Sequence, residues 1–412
     1  MATVKNETSF RQVIRTNITF LKCFGIIPPD DKTPLKMFLS YCSTIITLAF
    51  LVMWTSAYVY DFIIYAAYIE TAIESFALIM AFFGGLVRNL IWYQSRRKIQ
   101  KIFNTFENLW EILNIKERRY ITSYTEGTRN LTYFFLAQCV FTIFFYAITP
   151  LFIKSTDGDH NVTRILPYTF FVEVHHSPYY EILYFFQVSS IFNMSFTCVG
   201  VDMIGPLLIA TICGHLRVIQ EKLKNIDSRV KYQSSRKTDG SVPRTHAINE
   251  SSEIGKSHSL ESVSSELKFC VNYHRLILTI CQEIEQMTNL VFLIQLIGST
   301  YILSAVAFKL SGDDQDKIKY FSQLLIGLVQ LLICNWLPDD LLTESQAVAD
   351  AVYSVTWYQW PRELQKSVQI VILRARKPVQ LTAGKFMHLS LETFSSMVAS
   401  AVSFFTMLRS FK

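Results

Sequence analysis

Charged residues are scarce in this sequence. Of its 412 residues only 17% are Asp, Glu, Lys or Arg, whereas 50% are hydrophobic and the mean hydropathy is +0.26. Soluble domains contain about a quarter charged residues. The apolar residues form blocks of about 20, which is the length that a helix needs to cross the hydrocarbon core of a bilayer. The composition therefore excludes an ordinary soluble domain and predicts a membrane protein.

Motifs of several functional classes are also missing. The eight Cys include no C-x-x-C pair and no zinc-finger spacing, so neither a metal site nor a disulfide framework is expected. No P-loop, H-E-x-x-H or catalytic triad pattern appears, so the sequence indicates no enzyme activity and no cofactor. His175 and His176 are adjacent and cannot share one helical face, so we interpret them as surface loop residues. The basic residues lie in loops between apolar blocks, which argues against a nucleic-acid partner.

Charge-poor windows predict seven membrane-spanning helices. A transmembrane β-barrel would instead show short segments of alternating hydrophobicity. The predicted fold class is therefore an all-α membrane protein with seven transmembrane helices. The windows lie between Lys36 and Asp61, from about Phe62 to Val87, between Arg129 and Lys154, from Glu181 past Asp202, between Glu285 and Lys309, between Lys319 and Asp339, and from about Phe386 onward.

Lys and Arg are distributed unevenly between the two sides of this predicted bundle. Alternate loops and termini hold 32 of them on one side and 7 on the other. Because basic loops stay in the cytoplasm, we predict a cytoplasmic N-terminus and an extracellular C-terminus, which is inverted relative to G-protein-coupled receptors. The sequon at Asn161 then faces outside and is a predicted glycosylation site.

Three acidic residues fall inside or beside the predicted spans. Glu70 and Glu74 lie one helical turn apart in the second span, where a carboxylate normally faces the bundle interior or water. They either contact a ligand or permeant cation, or form a structural pair bonded to Tyr or Ser on another helix. Asp202 precedes Gly205-Pro206 in the fourth span and is predicted to mark a kink with a satisfied carboxylate.

Aromatic residues are concentrated in the outer halves of spans two to four. Packing alone accounts for most of them, but an apolar aromatic cavity with one or two hydroxyls is also what a small volatile organic ligand requires. Composition does not separate these interpretations. The candidate ligand-binding residues are Tyr65, Tyr68, Ile69, Phe141, Phe144, Phe145, Phe185, Ser189 and Phe192.

The last span is free of charge from Thr393 to Leu408 yet rich in hydroxyls. Ser396, Ser400 and Ser403 share one helical face, and Val402 and Thr406 lie on an adjacent strip. One such helix cannot enclose a pore, but several copies around an axis can, with hydroxyls facing water and an apolar constriction. The alternative is helix–helix packing through small residues.

The last 60 residues carry a specific resemblance. The stretches "AVYSVTWYQWP", "RKPVQLTAGKF" and "SLETF", followed by "SFFTMLR", occur in the order typical of the insect odorant receptor family. The Thr-Tyr…Gln-Phe ending of the related gustatory receptors is missing. The family's shared co-receptor is generally longer, especially in the second cytoplasmic loop, so this chain resembles a ligand-specific tuning subunit.

The resemblance implies a tetrameric, odorant-gated, nonselective cation channel in which a tuning subunit assembles with the co-receptor. Its implied partners are the co-receptor, a small volatile organic ligand, membrane lipid and permeant cations, and its implied location is the plasma membrane of a sensory neuron dendrite. The pore positions fall on Val402, Ser403, Thr406 and Met407, and the subunit anchor includes Tyr353, Trp357 and Tyr358. A seven-helix chemosensory receptor coupled to a G protein is the alternative.

These expectations divide the chain into six segments. The loop at 225–265 is rich in Ser, Lys and Arg and poor in aromatics, which is typical of disorder. The segments are 1–36 (cytoplasmic N-terminal segment), 37–224 (spans one to four with a cytoplasmic extension), 225–265 (disordered cytoplasmic loop), 266–338 (spans five and six with a cytoplasmic extension), 339–385 (cytoplasmic anchor helices) and 386–412 (pore-lining seventh span).

Overall fold

The computed structural model describes residues 9–23, 25–27, 33–152, 154–156, 162–164, 166–168, 177–226, 250–312 and 317–410. Seven helical segments in this part of the chain are long and apolar enough to cross a membrane, which confirms the predicted fold class. The only strands in the described ranges form two short antiparallel hairpins. Asn161, His175 and His176 lie outside the described residues, so the glycosylation site stays a prediction.

Eleven α-helices make up the described fold, and four of them continue well beyond the predicted apolar windows. They are α1 (Phe10–Val13), α2 (Arg15–Cys23), α3 (Pro34–Ile64), α4 (Ile69–Ile112), α5 (Ile115–Phe152), α6 (Tyr179–Asp202), α7 (Ile204–Lys224), α8 (Glu250–Leu310), α9 (Lys317–Tyr353), α10 (Arg362–Ala375) and α11 (Leu391–Ser410). Strands β1 (Lys154–Thr156) and β2 (Val162–Arg164) form one hairpin, and β3 (Thr382–Ala383) and β4 (Met387–His388) form the other.

The bundle has two different ends. At one end, which is called the short-loop end here, α3 connects to α4 and α8 to α9 by short loops, and α5 connects to α6 through the stretch that contains the β1–β2 hairpin. At the opposite end, called the core end here, α7, α10 and the β3–β4 hairpin pack against the extended ends of α4, α5, α8 and α9. Helix α4 continues past its apolar window because residues 88–112 contain neither Pro nor Gly to interrupt it. The predicted loop after the second span is therefore mostly helical.

Helix α7 is the centre of the core end. Of its 21 residues 18 are buried, and it packs against α5, α8 and α9. It approaches α5 closely at Gly214, where an added Cβ would lie 2.7 Å from Cα of Ile121. Only a glycine fits at that point of the helix–helix contact.

The fourth span is divided at Met203 into α6 and α7, as the Gly-Pro pair predicted. Pro206 supplies no amide hydrogen for a helical bond to the residue four positions earlier, so the helix breaks there. The side chain of Asp202 is satisfied, since Gln330 donates a hydrogen bond to Oδ2 and Arg88 forms an ion pair with Oδ1. The predicted kink with a satisfied carboxylate is confirmed.

The seventh helix begins at Leu391 rather than near Phe386, because the β3–β4 hairpin precedes it. Gly384 and Lys385 take positive φ angles of 62° and 67° in the hairpin turn. The Gly384 amide donates a 2.9 Å hydrogen bond to the carbonyl of Asn289, which ties the hairpin to α8.

Helix α8 also differs from the expectation, because it begins at Glu250. Residues 250–265 are therefore helical in the structure, whereas the sequence predicted disorder there. The Ser-rich composition of this stretch is unfavourable for a helix but does not prevent one.

Candidate ligand cavity and closing helix

Five of the long helices enclose a cavity of about 140 Å³. Its wall is mainly apolar, and it lies between the break in the fourth span and the short-loop end. The lining residues come from α4 (Leu78, Met80, Ala81, Phe82, Gly84, Arg88), α5 (Phe135, Cys139, Thr142, Tyr146), α6 (Ile191, Met194, Ser195, Cys198), α8 (Ile294, Gln295, Gly298, Ser299, Ile302), α9 (Gln323, Ile326, Gly327, Gln330) and the Tyr168 segment.

One glycine widens this cavity at the helix surface that faces it. It is Gly298 of α8, because a Cβ added there would have no neighbour within 4 Å. Open space next to a buried helix position is unusual in close-packed interiors. The backbone of α8 therefore forms part of the cavity wall directly.

Several polar side chains on the wall are already paired with protein groups. At the short-loop side, the hydroxyl of Tyr146 donates to Oε1 of Gln323. At the deeper side, Arg88 Nε lies 3.5 Å from Asp202 Oδ1, and Gln330 donates to the same carboxylate. Because the two opposite charges neutralise each other, the cavity is suited to a neutral molecule.

A smaller cavity of about 20 Å³ adjoins the main one towards the short-loop end. The two share Leu78, Tyr146, Tyr168 and Gln323 as lining residues. Glu74 lines the small cavity and pairs with Lys309 at 3.2 Å, with both side chains largely buried. Neither sequence interpretation of Glu74 named a lysine as its partner.

The aromatic residues predicted to bind ligand do not line the main cavity. Helices α4, α5 and α6 contribute, as the aromatic residues of spans two to four predicted, and α8 and α9 contribute as well. However, Phe144, Phe185 and Phe192 are each more than half exposed on the outside of the bundle. Phe141 and Tyr68 are also exposed, and the rings of Tyr65 and Tyr68 are tilted relative to each other with centroids 6.3 Å apart. Of the other candidates, Ile69 is exposed, Phe145 contacts Phe141 and Phe144, and Ser189 donates to the Phe185 carbonyl.

Aromatic content did not locate the cavity because a membrane helix has two apolar sides. Lipid and protein interior select the same residue types, so aromatic content does not reveal which side faces inward. The better signal was the polar residues inside charge-free windows, which normally face the bundle interior. Gln295, Ser299, Gln323 and Gln330 follow that rule and all line the cavity, yet the sequence reasoning did not select them.

Helix α11 has one packed side and one open side. Within it, Ala401 is buried and the side chains around it pack on the bundle, while Val402 is 55% exposed. The packed residues are Phe394, Met397, Val398, Ala401, Phe405 and Leu408, and the exposed ones include Ser395, Ser396, Val402, Ser403, Thr406 and Met407.

The hydroxyls of α11 bond to the helix's own backbone. Ser400 donates to the carbonyl of Ser396 at 2.9 Å, and Ser403 donates to that of Ala399 at 3.1 Å. Thr406 donates to the Ser403 carbonyl at 2.8 Å. These hydroxyls therefore need no partner on another helix, and their oxygens remain available as acceptors on the exposed side.

The predicted anchor residues lie at the core end, at the last residue of α9 and shortly after it. Tyr353 ends α9, and Trp357 begins a short 3₁₀ helix that packs against the core. The rings of Tyr353 and Trp357 are 6.5 Å apart. Tyr353 and Tyr358 are both about two-thirds exposed, at 67% and 64%.

Comparison with known proteins decides the family. The family model described as "7tm Odorant receptor" matches residues 68–402, which is most of the chain. This chain belongs to the 7tm odorant receptor family. The match includes all five helices that enclose the cavity in this receptor, and it confirms a multi-pass membrane protein.

The receptor is similar to curated insect proteins at modest identity. It is 22% identical to Odorant receptor 10 of Aedes albopictus over 339 residues, which cover 80% of the receptor and 81% of that protein. It is 27% identical to Odorant receptor Or2 of Anopheles gambiae over 154 residues, or 37% of the receptor and 41% of that protein. It is also 26% identical to the odorant receptor coreceptor of Aedes aegypti over 149 residues, which cover 35% of the receptor and 31% of that protein.

The fold of the receptor matches a solved structure over nearly its whole length. The insect olfactory receptor OR5 from Machilis hrabei, solved in complex with eugenol, aligns with a TM-score of 0.77. The alignment covers 98% of each chain at 14% sequence identity. Identity this low establishes a shared fold, and the chemistry of the site must be argued from the receptor's own residues.

Proposed function

We infer that this receptor is the odorant-binding tuning subunit of a ligand-gated, nonselective cation channel that assembles as a tetramer with the odorant co-receptor. The observation that carries the proposal is the mainly apolar cavity of about 140 Å³ enclosed by five spanning helices. An engineered apolar cavity of roughly 150 Å³ in another protein binds benzene. The cavity therefore suits a neutral molecule with one small ring.

This assignment places the ligand in the main cavity rather than among the exposed aromatics. The nine residues proposed from the sequence then face lipid or a neighbouring element, where Phe144 and Phe192 stabilise the protein in the bilayer. Residues such as Met194, Tyr146 and Ile302, which line the cavity, contact the ligand instead.

The open side of α11 supports a role in a shared pore. A lone helix with Val402, Ser403, Thr406 and Met407 exposed cannot surround an ion path, but four such helices around an axis can. In that arrangement Val402 forms the apolar constriction, and the hydroxyls of Ser403 and Thr406 contact hydrated cations.

Exposed tyrosines at the core end support assembly with a related subunit. Tyr353 and Tyr358 present large rings next to the packed Trp357, and such residues are common at the centre of protein interfaces. The receptor's similarity to odorant co-receptors makes a related chain the natural partner. These residues are the proposed subunit anchor.

Recording currents from cells that express the receptor tests the proposal. We expect odorant-evoked cation current when the receptor and co-receptor are expressed together, and none from the receptor alone. Robust current from the receptor alone would contradict the tuning role. Responses abolished by blocking G proteins would favour the G-protein-coupled alternative.

Terminal tags test the proposed orientation in the same cells. A C-terminal tag should be labelled in unpermeabilised cells, and an N-terminal tag should be labelled only after permeabilisation. The opposite pattern would refute the topology predicted from the 32-to-7 distribution of Lys and Arg.

A further inference from the structure

The side chain of Gln295 lines the main cavity and carries a buried oxygen that has no hydrogen-bond partner among the described residues. Gln295 is 4% exposed and lines the cavity wall on α8. Its Nε2 donates a 2.9 Å hydrogen bond to Oγ of Ser299, one turn further along the helix. Its Oε1 has no hydrogen-bond partner among the residues that the structure describes.

A buried amide oxygen without a partner is unfavourable, because it loses its bond to water and gains nothing in return. Two of the other donors on the wall are engaged with different acceptors. Tyr146 already donates to Gln323, and Gln330 already donates to Asp202. A turn of the Gln295 amide towards the cavity would bring this oxygen to a donor on a molecule bound there, which would supply the missing partner.

The space for that partner lies along the same stretch of α8. Gly298 lines the cavity between Gln295 and Ser299 in sequence, and a Cβ added to it would meet nothing within 4 Å. The lining residues Ile294 and Ile302, on either side, are apolar. This arrangement combines one acceptor with an apolar wall, which suits a molecule with one donor and an apolar body.

We propose that Oε1 of Gln295 accepts a hydrogen bond from the ligand, so that the receptor recognises small one-ring molecules bearing a hydroxyl. This inference rests on the proposed function, because it specifies the ligand class of the same cavity. A receptor with this acceptor distinguishes phenols and cyclic alcohols from ethers and hydrocarbons of the same size. A site built for a hydrogen-bond donor rejects an analogue that lacks one, since the acceptor is then left unpaired.

Triads of ligands that differ in one group test the proposal. One triad is 4-methylphenol, 4-methylanisole and p-xylene, in which the hydroxyl donor is replaced by a methoxy acceptor and then by a methyl group. In cells expressing the receptor with the co-receptor, we expect the phenol to be more potent than either analogue by about 10-fold. Further triads vary the same group on a cyclohexyl ring and on a benzene ring without the para methyl group.

The variant Gln295→Leu removes the acceptor while keeping a similar volume. It should lower the potency of the phenol to that of p-xylene and leave the potency of p-xylene unchanged or higher. Gln295→Met is a second variant of comparable shape, in case the first reaches the surface poorly. Gln286→Leu, at an exposed position of the same helix, is the matched control and should preserve the preference. Surface labelling normalises every measurement.

Three results would overturn the inference. The first is a wild-type receptor that prefers the ether or hydrocarbon, or that responds to larger molecules but to no donor in the panel. The second is an equal loss of potency for all three ligands in both Gln295 variants at normal surface levels, which would make Gln295 structural. The third is a phenol preference that survives both variants.

The cavity-narrowing variant Gly298→Ala separates this failure from failure of the proposed function. Altered potency in Gly298→Ala without an effect of Gln295→Leu would mean that ligand binds in the cavity but is not recognised by Gln295. Unaltered potency in both variants would mean that ligand binds elsewhere, which contradicts the proposed site itself.

Discussion

Nε of Arg88 lies 3.5 Å from Oδ1 of Asp202, and both side chains are almost completely buried in the bundle. The pair joins α4 to the end of α6, where the fourth span breaks, and Gln330 adds α9 through its hydrogen bond to Asp202. Three helices that enclose the cavity are thus connected at its deeper side. A buried pair of this kind is strongly sensitive to the loss of one partner, because the remaining charge is left unpaired.

Arg88→Met should therefore destabilise the receptor strongly, by about 3–5 kcal/mol. The expected result is a lower melting temperature in detergent and less receptor at the cell surface. The double variant Arg88→Met/Asp202→Leu should recover part of this loss, because no charge is then left unpaired. Arg11→Met is the matched control, since its ion pair with Glu107 is exposed and worth only about 0–1 kcal/mol. Equal effects of Arg88→Met and Arg11→Met would contradict the prediction.

The contact between α5 and α7 gives a second prediction. In Gly214→Ala the new methyl would lie 2.7 Å from the backbone of Ile121, so the helices must separate at a cost of about 1–3 kcal/mol. Thermal unfolding in detergent should show this loss. Gly127→Ala on α5, where a Cβ meets nothing within 4 Å, should be neutral or stabilising by up to about 1 kcal/mol. A melting temperature unchanged by Gly214→Ala would refute the close approach.

Gly298→Ala should change ligand selectivity without harming the fold. The added methyl enters open space at the cavity, and Ala is favoured over Gly in a helix by about 1 kcal/mol. We expect the potency of the larger ligands to fall more than that of the smaller ones, at normal surface expression. Concentration–response curves for a homologous series of one-ring odorants measure this. An equal fall in potency for ligands of every size would argue against a ligand that fills the cavity.

Val402→Thr should raise the current that flows without odorant. Thr has a similar volume but adds a hydroxyl, which wets an apolar constriction and lowers the barrier to ions. Holding current in assembled channels measures this effect. The matched control is Val398→Thr, which makes the same change on the packed side of α11 and should leave the leak unchanged. If neither variant changes the leak, α11 only packs and the pore lies elsewhere.

Part of the architecture was predictable because the bilayer imposes it. The hydrocarbon thickness requires apolar helical segments of about 20 residues, so charge-poor windows located seven spans that the structure confirms. Local covalent chemistry determined the break after Asp202, since Pro206 has no amide hydrogen to donate. The closing motifs also pointed to the family that the comparison established.

Other features depend on contacts that no local pattern records. The start of the seventh helix was misplaced because the β3–β4 hairpin is held by α8, including a bond from Gly384 to Asn289 that spans 95 positions in sequence. The partner of Glu74 was missed for a similar reason, since Lys309 comes from a different helix end. In each case the deciding interaction joins elements that are far apart in the chain.

The sequence by itself determined the number of spans, the helix break and the family, because bilayer thickness, proline chemistry and ordered motifs act locally. Only the tertiary structure decided which side of each span faces inward. Phe144 and Phe192 face outward, whereas Gln295 faces the cavity without a partner for its Oε1 among the described residues. Aromatic side chains are stable in lipid and in protein alike, so their positions follow from how the helices pack. A buried amide needs hydrogen-bond partners, and Ser299 supplies one for Nε2 of Gln295.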